Sequence, residues 1–330
     1  MSISRQLPFE TISAIVNYID NPQDLYQCTL TNTAFYKLAN PKLWHAPTDV
    51  TNPSYHGIVR GLLHDSRINN FRLLPLGNYI RRLDFLMVPE DHNMNAAIGL
   101  LFTYTPLLEI VTIHFTYDNM ATQIPAVPEN LPFLCPRLRE VSVAGYSVNF
   151  LMNLDNCRQL RTLHLDDEFN GHVSGNLGNL RNCPLELLSV EALTWTAEDD
   201  IHDLQQLTRL STLKIICIDE WDTEFLEQLL FLSPQPSTNI AFPRMKTLKI
   251  ELCCGNGVDT HTLVHILTTY SQLQELEIWV NTLGIIQGPV FPHLHSLILE
   301  DLGYTSEEAQ RSWTNACPAL TNFKIRHIIR

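Results

Sequence analysis

The sequence predicts an α/β chain in which three short N-terminal helices precede a curved parallel solenoid of about ten strand-plus-helix repeats. Two observations indicate this fold class. Apolar residues follow helical spacing within the first 45 residues, and from residue 80 onward a short strand pattern recurs about every 27 residues. We therefore expect a helical segment at 1–45, a linker and N-terminal cap at 46–79, and the repeats at 80–330.

The composition indicates a folded protein without a membrane span. Hydrophobic residues make up 45% of the 330 residues, which is enough to bury a sizeable core. The longest apolar stretch, from Ile98 to Phe115, is interrupted by Pro106 and Glu109. The N-terminus lacks a signal-peptide pattern, and the eight cysteines lack paired spacing. Reduced thiols and a cytoplasmic or nuclear location are therefore expected.

The net charge of −13 lies entirely beyond residue 45, because three basic and three acidic residues balance within the first 45. A chain this acidic is not expected to bind the phosphate backbone of a nucleic acid. A protein partner is the better expectation.

The helical segment has three predicted helices. Pro8 can begin the first helix, whose apolar positions are Ile12, Ile15, Val16 and Ile19. Asp24 can cap a second helix carrying Leu25 and Cys28. Asn32 can cap a third helix, which the Asn40-Pro41 pair is expected to stop.

Three short helices bury too little apolar surface to be stable alone, so their remaining apolar face is a candidate interface. The segments LPFETISAIVNYI and DLYQCTLTNTAFYKLANPKLW resemble the F-box family in their Leu-Pro start, Asp-Leu pair and closing Pro-x-Leu-Trp. This resemblance covers residues 5–45 and implies binding to a Skp-type adaptor, and through it to a cullin–RING ubiquitin ligase. The residues implied at the adaptor contact are Leu7, Pro8, Ile12, Leu25 and Cys28. Ile12 and Cys28 could equally belong to the helical core.

The repeats are carried by ten copies of L-x-x-L-x-L with conservative replacements. The copies begin at Ile80, Leu108, Leu138, Leu160, Leu185, Leu210, Met245, Leu273, Leu294 and Leu320. Their mean spacing of about 27 residues is typical of leucine-rich repeats. The period of two predicts that the apolar positions point inward while the intervening side chains form a concave face. We predict that residues 46–79 separate these repeats from the helical segment and leave the two independent.

A Cys-Pro pair or a similar pair precedes many of the strand patterns, as at Cys135-Pro136, Cys183-Pro184 and Cys317-Pro318. The proline ends the preceding helix, and the cysteine can pack beneath the helix end. This arrangement resembles the cysteine-containing leucine-rich repeats of F-box proteins. Two insertions, at 117–132 and 233–240, interrupt the array and are either functional loops or tolerated insertions.

One column of side chains on the predicted concave face is unusually acidic. Its members are Leu86, His114, Ala144, Asp166, Glu191, Ile216, Glu251, Trp279, Glu300 and Arg326. Lysines on the same face could neutralise these acids, which would make the column an ordinary solvated surface. We predict that a basic segment of a protein substrate contacts Glu251, Glu277, Trp279 and Glu300. In this prediction Trp279 is an exposed anchor, and the alternative is a tryptophan packed for structural reasons.

No catalytic, metal-binding or cofactor-binding site is predicted. His261 and His265 lie four apart, but the sequence HTLVH lacks the glutamate of a zinc-protease motif, and Cys253-Cys254 has no second cysteine pair at ligand spacing. The resemblance therefore implies a non-enzymatic substrate receptor of a ubiquitin ligase. The alternatives are an F-box scaffold outside any ligase and a regulator that covers the active site of a partner enzyme.

Overall fold

The computed structural model describes residues 7–47, 57–58, 60–62, 75–87, 92–115, 129–144, 148–166, 177–191, 198–221, 223–231, 240–255, 257–301 and 305–327. Most of the predicted linker at 46–79 and of the two insertions lies outside these residues. No helix among them is long and apolar enough to cross a bilayer. The chain forms two compact units, residues 1–141 and 142–330.

The first unit begins with helices and continues into the first strands. Its elements are α1 (Phe9–Asn17), α2 (Pro22–Thr31), α3 (Thr33–His45), β1 (Arg82–Met87), α4 (His92–Tyr104), β2 (Ile110–Phe115), α5 (Leu131–Leu134) and the start of β3 (Glu140–Ala144). A single 3-10 turn at Leu76–Tyr79 precedes β1.

The second unit alternates strands with helices or 3-10 turns. Its elements after β3 are α6 (Val148–Asn153), β4 (Thr162–Asp166), β5 (Leu187–Glu191), α7 (Glu198–Gln205), β6 (Thr212–Trp221), α8 (Thr223–Leu230), β7 (Thr247–Gly255), α9 (Thr260–Thr269), β8 (Glu275–Val280), β9 (Ser296–Asp301), α10 (Glu307–Ala316) and β10 (Asn322–His327). The 3-10 turns Leu154–Asn156 and Leu177–Asn182 precede β4 and β5.

The strands form one parallel sheet in sequence order from β1 to β10. Each of the ten predicted copies contains one strand, so the prediction of ten parallel strands is confirmed. Equivalent residues of the repeats stand side by side in the sheet. Leu213, for example, is level with Leu248, and Leu276 is level with Leu297.

Alternate strand residues form the core, as the period of two predicts. In the second unit Leu163, Leu188, Leu213, Leu248 and Leu276 are each at most 1% exposed. The equivalent residue of β10, Phe323, is only half-buried. Burial of this regular ladder of leucines is the main favourable contribution to the stability of a solenoid.

The cysteines that precede strands pack beneath the end of the preceding helix or turn. The Cys135 thiol lies 3.4 Å from the carbonyl oxygen of Thr105, just after α4, and the Cys183 thiol lies 3.5 Å from that of Leu154. Burial raises the pKa of the Cys135 thiol to about 12 and that of Cys183 to about 11. Both side chains are therefore neutral packing groups at physiological pH.

Backbone hydrogen bonds between neighbouring repeats recur where the strands begin. In the first unit the N–H of Glu109 donates to the carbonyl of Arg81 at 2.8 Å, and that of Arg139 donates to Glu109 at 2.7 Å. The N–H of Arg81, at the equivalent place before β1, donates to the carbonyl of His45 at 2.9 Å. The carbonyl of His45, the last residue of α3, thus accepts the kind of hydrogen bond that the carbonyl of Arg81 accepts from the next repeat.

The third helix is longer than predicted, because it continues through Asn40-Pro41 to His45. Pro41 removes one helical hydrogen bond, but tertiary contacts hold the last turn in place. Leu43 packs against the helical core, and Lys42 Nζ donates to the carbonyl oxygen of Asn17 at 2.9 Å and lies 3.0 Å from Asp20 Oδ1. The expectation that Asn40-Pro41 stops this helix was wrong for this reason.

The hydrogen bond between Arg81 and His45 leads us to expect that the repeats depend on the helices, whereas the sequence predicted that the two are independent. Deleting residues 1–45 would leave the Arg81 N–H without its acceptor. It would also remove the α3 packing beside the 3-10 turn that carries buried Leu76. We expect at least about a tenfold loss of amide exchange protection in β1, measured by hydrogen–deuterium exchange of the full chain and of residues 46–330. Unchanged protection of β1, with β9 as the internal control, would contradict this dependence.

Candidate protein-interaction surfaces

The three N-terminal helices are fixed by caps that the sequence supplies. Asn21 Oδ1 accepts a hydrogen bond from the N–H of Gln23 at 2.8 Å and begins α2. Asn32 Oδ1 accepts from Ala34 and Phe35 at 2.9 and 3.1 Å and begins α3. The predicted cap for the second helix, Asp24, instead lies in its first turn, where an acid favours the helix dipole.

Two of the residues implied at the adaptor contact lie inside the helical unit. Ile12 is 5% exposed and Leu25 is 3% exposed, and both belong to the core formed with Val16 and Ala39. Cys28 is half-buried and packs against the same core. Ile12 and Leu25 are therefore needed to hold the helices together and offer almost no surface to a partner.

The accessible apolar surface of the helical unit lies elsewhere. Leu7 and Pro8 are exposed at the start of α1. Six of the eleven exposed large hydrophobic side chains among the described residues fall between residues 7 and 30. We call these six the N-terminal apolar cluster: Leu7, Phe9, Ile15, Tyr18, Tyr26 and Leu30. Such a concentration on a small unit is characteristic of a protein interface.

The second candidate surface is the sheet face whose side chains alternate with the buried leucines. The strand register places Trp279 of β8 level with Glu300 of β9, and Glu300 level with Arg326 of β10. Glu251 of β7 directly follows Ile250, which is level with Ile278 of β8. The predicted column is therefore present at the end of the sheet formed by β7 to β10.

Two cations on this face hold most of its carboxylates. Arg326 donates to Glu277 and to Glu300, each at 3.1 Å, and so ties three neighbouring strands together. Lys249 Nζ lies 3.5 Å from Glu277 and 4.0 Å from Glu275. The sequence offered the alternative that cations on the same face neutralise its acids. This alternative applies to Glu275, Glu277 and Glu300. Arg326 was predicted on the face but not as the residue that organises it.

Glu251 is the exception, because it makes no hydrogen bond or ion pair with any described residue. Desolvation and the nearby charges of Glu300 and Glu277 raise the pKa of its carboxyl group, and the charge of Arg326 only partly offsets them. Its side chain is nevertheless exposed. An accessible carboxylate that is repelled by two other acids would be stabilised by a cation from a partner.

Trp279 lies on this face but is not exposed. Its side chain is 8% exposed, and its indole Nε1 is buried without a hydrogen-bond partner among the described residues. The expectation of an exposed tryptophan anchor is therefore not met, and the alternative of a packed tryptophan fits the burial. Glu300 is also 8% exposed, which leaves Glu251 as the most accessible of the four predicted substrate contacts.

Replacing Glu251 with Gln is expected to raise the thermal midpoint of unfolding by about 1–2 °C at neutral pH, because it removes repulsion at a solvent-accessible site. The pKa of Glu251 is raised in the folded protein, so the wild-type chain recovers this stability as the pH falls and the carboxyl group becomes protonated. Thermal melts across the acid range test this expectation. Glu275→Gln, which removes an acid that has a lysine partner, should bring no gain. Equal melting of wild type and Glu251→Gln at every pH would contradict the interpretation.

The histidines and cysteines considered from the sequence as possible metal ligands or catalytic groups lie in α9 and β7, respectively. The ring of His265 packs against that of Phe231 with centroids 4.5 Å apart, and His261 is exposed. Within the described ranges, no group of three His, Cys, Asp or Glu residues could hold a metal ion. The side chains of Cys253 and Cys254 lie outside the described part of the structure.

Comparison with known proteins identifies the N-terminal segment. The F-box-like family model matches residues 4–49. No curated protein matches the sequence. The chain therefore carries an F-box-like domain, followed by a ten-stranded parallel sheet of leucine-rich-repeat type. Together these make a protein-interaction architecture.

Solved structures similar to this chain include leucine-rich-repeat proteins. One is described as the TLR13–ssRNA13 complex, with 13% identity over 76% of this chain and 33% of that chain and a TM-score of 0.40. The present chain thus spans about a third of that protein's length. Another is the Leptospira interrogans LRR protein LIC12759, with 10% identity over 83% of this chain and 99% of that chain and a TM-score of 0.25.

Proposed function

We propose that this chain is the substrate-recognition subunit of a Skp–cullin–F-box ubiquitin ligase. Its F-box-like domain binds a Skp-type adaptor, which connects it to a cullin and a RING subunit, and its repeats bind a protein substrate. The observation that carries the proposal is the N-terminal apolar cluster on a domain that matches the F-box-like family model. In this role the chain positions a substrate and performs no covalent step itself.

The adaptor contact is assigned to exposed residues rather than to the helical core. Leu7 and Pro8 stay in the proposed contact, and Phe9 joins them because it is 51% exposed at the first turn of α1. Tyr18, at 89% exposure, presents a large side chain with a polar end, a type often found at interface centres. Ile12 and Leu25 support this surface from below, and half-buried Cys28 can contribute at its edge.

The substrate contact is assigned to the sheet face around Glu251. A lysine or arginine of the substrate would form a direct ion pair with Glu251, which makes none with the described residues. Glu277 and Glu300 add negative charge near Glu251, and hydrogen bonds from Arg326 fix the positions of both carboxylates. Trp279 acts in this proposal as a packed support for the face.

The proposed partners are proteins only. A chain with a net charge of −13 is poorly suited to nucleic acid, and no cofactor or membrane contact is part of the proposal. The proposed location is the cytoplasm, the nucleus or both, where cullin–RING ligases act on intracellular substrates.

Affinity capture of the full chain with and without proteasome inhibition tests the proposed role. A substrate receptor is expected to retain a cullin and at least one protein whose captured amount increases when the proteasome is inhibited. The Glu251→Lys variant should lose that protein while keeping the cullin, because it reverses a charge on the sheet face only. Capture of partners without any cullin would favour the F-box scaffold, and an enzyme whose activity falls on binding would favour the regulator.

A further inference from the structure

The loops that lead into β4, β5 and β6 enclose a groove of about 240 Å³ in the second unit. Three arginines line it, one from each segment: Arg158 before β4, Arg181 before β5 and Arg209 before β6. Asn182, Gln206 and Thr208 add polar side chains. The strands carry their apolar side chains into the core, so the groove belongs to the loops at the N-terminal ends of the strands and not to the face around Glu251.

The repeat architecture brings the three arginines together. Thr162 of β4 is level with Leu187 of β5, which is level with Thr212 of β6. Neighbouring strands lie about 4.8 Å apart, so the loops before β4 and β6 are separated by about 10 Å. All three arginines line the same groove, so their guanidinium groups can bind a single ligand.

Backbone hydrogen bonds between residues three apart in the sequence fix the conformation of these loops. The N–H of Leu160 donates to the carbonyl of Cys157 at 2.9 Å, and the N–H of Leu210 donates to that of Leu207 at 3.0 Å. Cys157 is fully buried, Leu207 is 4% exposed and Cys183 is 6% exposed. The backbone of the groove is therefore anchored in the core, and only the exposed polar side chains need to adjust to a ligand.

The three groove arginines have no direct acidic partner among the residues that the structure describes. Within the described part of the chain, Arg158, Arg181 and Arg209 make no hydrogen bond or ion pair, and no carboxylate lines the groove. Nearby acids are already engaged. Asp155 accepts a hydrogen bond from Asn182 at 2.6 Å, and Glu186 accepts one from Arg161 at 3.1 Å. Three arginines without an ion-pair partner among the described residues thus share one site on a protein whose net charge is −13.

We propose that this groove binds a phosphate monoester. Arginine offers only donors, in a planar fork that matches phosphate oxygens, and a phosphate monoester carries a charge of about −1.5 to −2 at neutral pH. The amide of Gln206 and the hydroxyl of Thr208 supply further donors. The phosphate can belong to a phosphorylated side chain of a partner or to a small phosphate ester. The site does not depend on the proposed adaptor contact.

Calorimetric titration of the full chain tests this proposal with four probes: inorganic phosphate, O-phosphoserine, a phosphoserine peptide and the same peptide with glutamate at the modified position. We expect saturable binding of the three phosphate probes and at least about tenfold weaker binding of the glutamate peptide. Equal affinity for O-phosphoserine and the phosphoserine peptide would mean that the phosphate group alone is recognised. Tighter peptide binding would mean that flanking residues of a phosphorylated partner also make contact.

Variants distinguish specific binding in the groove from nonspecific attraction to positive surface charge. The triple variant Arg158→Gln, Arg181→Gln and Arg209→Gln should lose at least about tenfold in affinity, and Arg181→Gln alone should lose several-fold. Arg244→Gln is the matched control, because Arg244 is exposed in the equivalent loop before β7 but does not line the groove. Circular dichroism checks that each variant remains folded. Featureless titrations of the wild type, equal affinity for the glutamate peptide, or equal losses in Arg181→Gln and Arg244→Gln would overturn the proposal.

Discussion

Replacing Leu7 and Phe9 together by Asp is expected to weaken binding of a Skp-type adaptor by about a hundredfold or more while the helical unit stays folded. Both side chains are about half exposed, so neither contributes much to the helical core. A buried apolar anchor at an interface commonly contributes about 2 kcal/mol, and a charge placed there must also be desolvated. Two such changes correspond to about a hundredfold or more in the dissociation constant.

The fold should tolerate these two changes. Phe9 begins α1, where an acidic residue interacts favourably with the helix dipole, and Leu7 precedes the helix. Leu100→Asp is the matched control, because Leu100 is 50% exposed on α4, away from the proposed contact. Titration of the purified adaptor into each variant measures the effect. Wild-type affinity in the double variant would remove the N-terminal apolar cluster from the contact.

Leu25→Asp is expected to unfold the helical unit rather than to alter its surface. Leu25 is 3% exposed, so the substitution removes a buried leucine and places a carboxylate in the core. The combined cost is about 3–5 kcal/mol or more, a large part of the stability that so small a unit can have. Hydrogen–deuterium exchange should then show loss of protection throughout α1, α2 and α3.

Leu30→Asp provides the control for Leu25→Asp within the same helix. Leu30 is 63% exposed at the other end of α2, so we expect a change in stability of less than about 0.5 kcal/mol. The two variants separate loss of folding from loss of contact, since only Leu25→Asp should lower the protection of α1. Native protection of the helices in Leu25→Asp would contradict the core assignment.

The period-two pattern of the repeats made the sheet predictable from the sequence. Leu213 and Leu248 are equivalent in the sequence pattern, and the structure places them side by side, because parallel strands in register bring equivalent positions together. The packing of Cys135 and Cys183 beneath the preceding helix or turn was predictable for the same reason, because these cysteines recur at the same place before the strands. Asn32 was also identified correctly as the cap of α3, since side-chain capping is a local interaction.

Interactions between distant residues could not be predicted in this way. Whether Leu25 or Leu30 faces the core depends on how the three helices pack, since both are apolar residues of one helix. The burial of Trp279 likewise depends on its neighbours in space. The arginine groove combines loops whose sequences align poorly, because Arg181 lies in a 3-10 turn while Arg158 and Arg209 lie in short turns before their strands.

The most direct test of the central claim is to mix the purified full chain with a purified Skp-type adaptor and measure the mass of the product by size-exclusion chromatography with light scattering. We expect a one-to-one complex that then binds a cullin, and we expect the variant with Leu7 and Phe9 changed to Asp to remain uncomplexed. If the wild-type chain and the adaptor elute separately at micromolar concentration, the proposed role as a ligase receptor is contradicted.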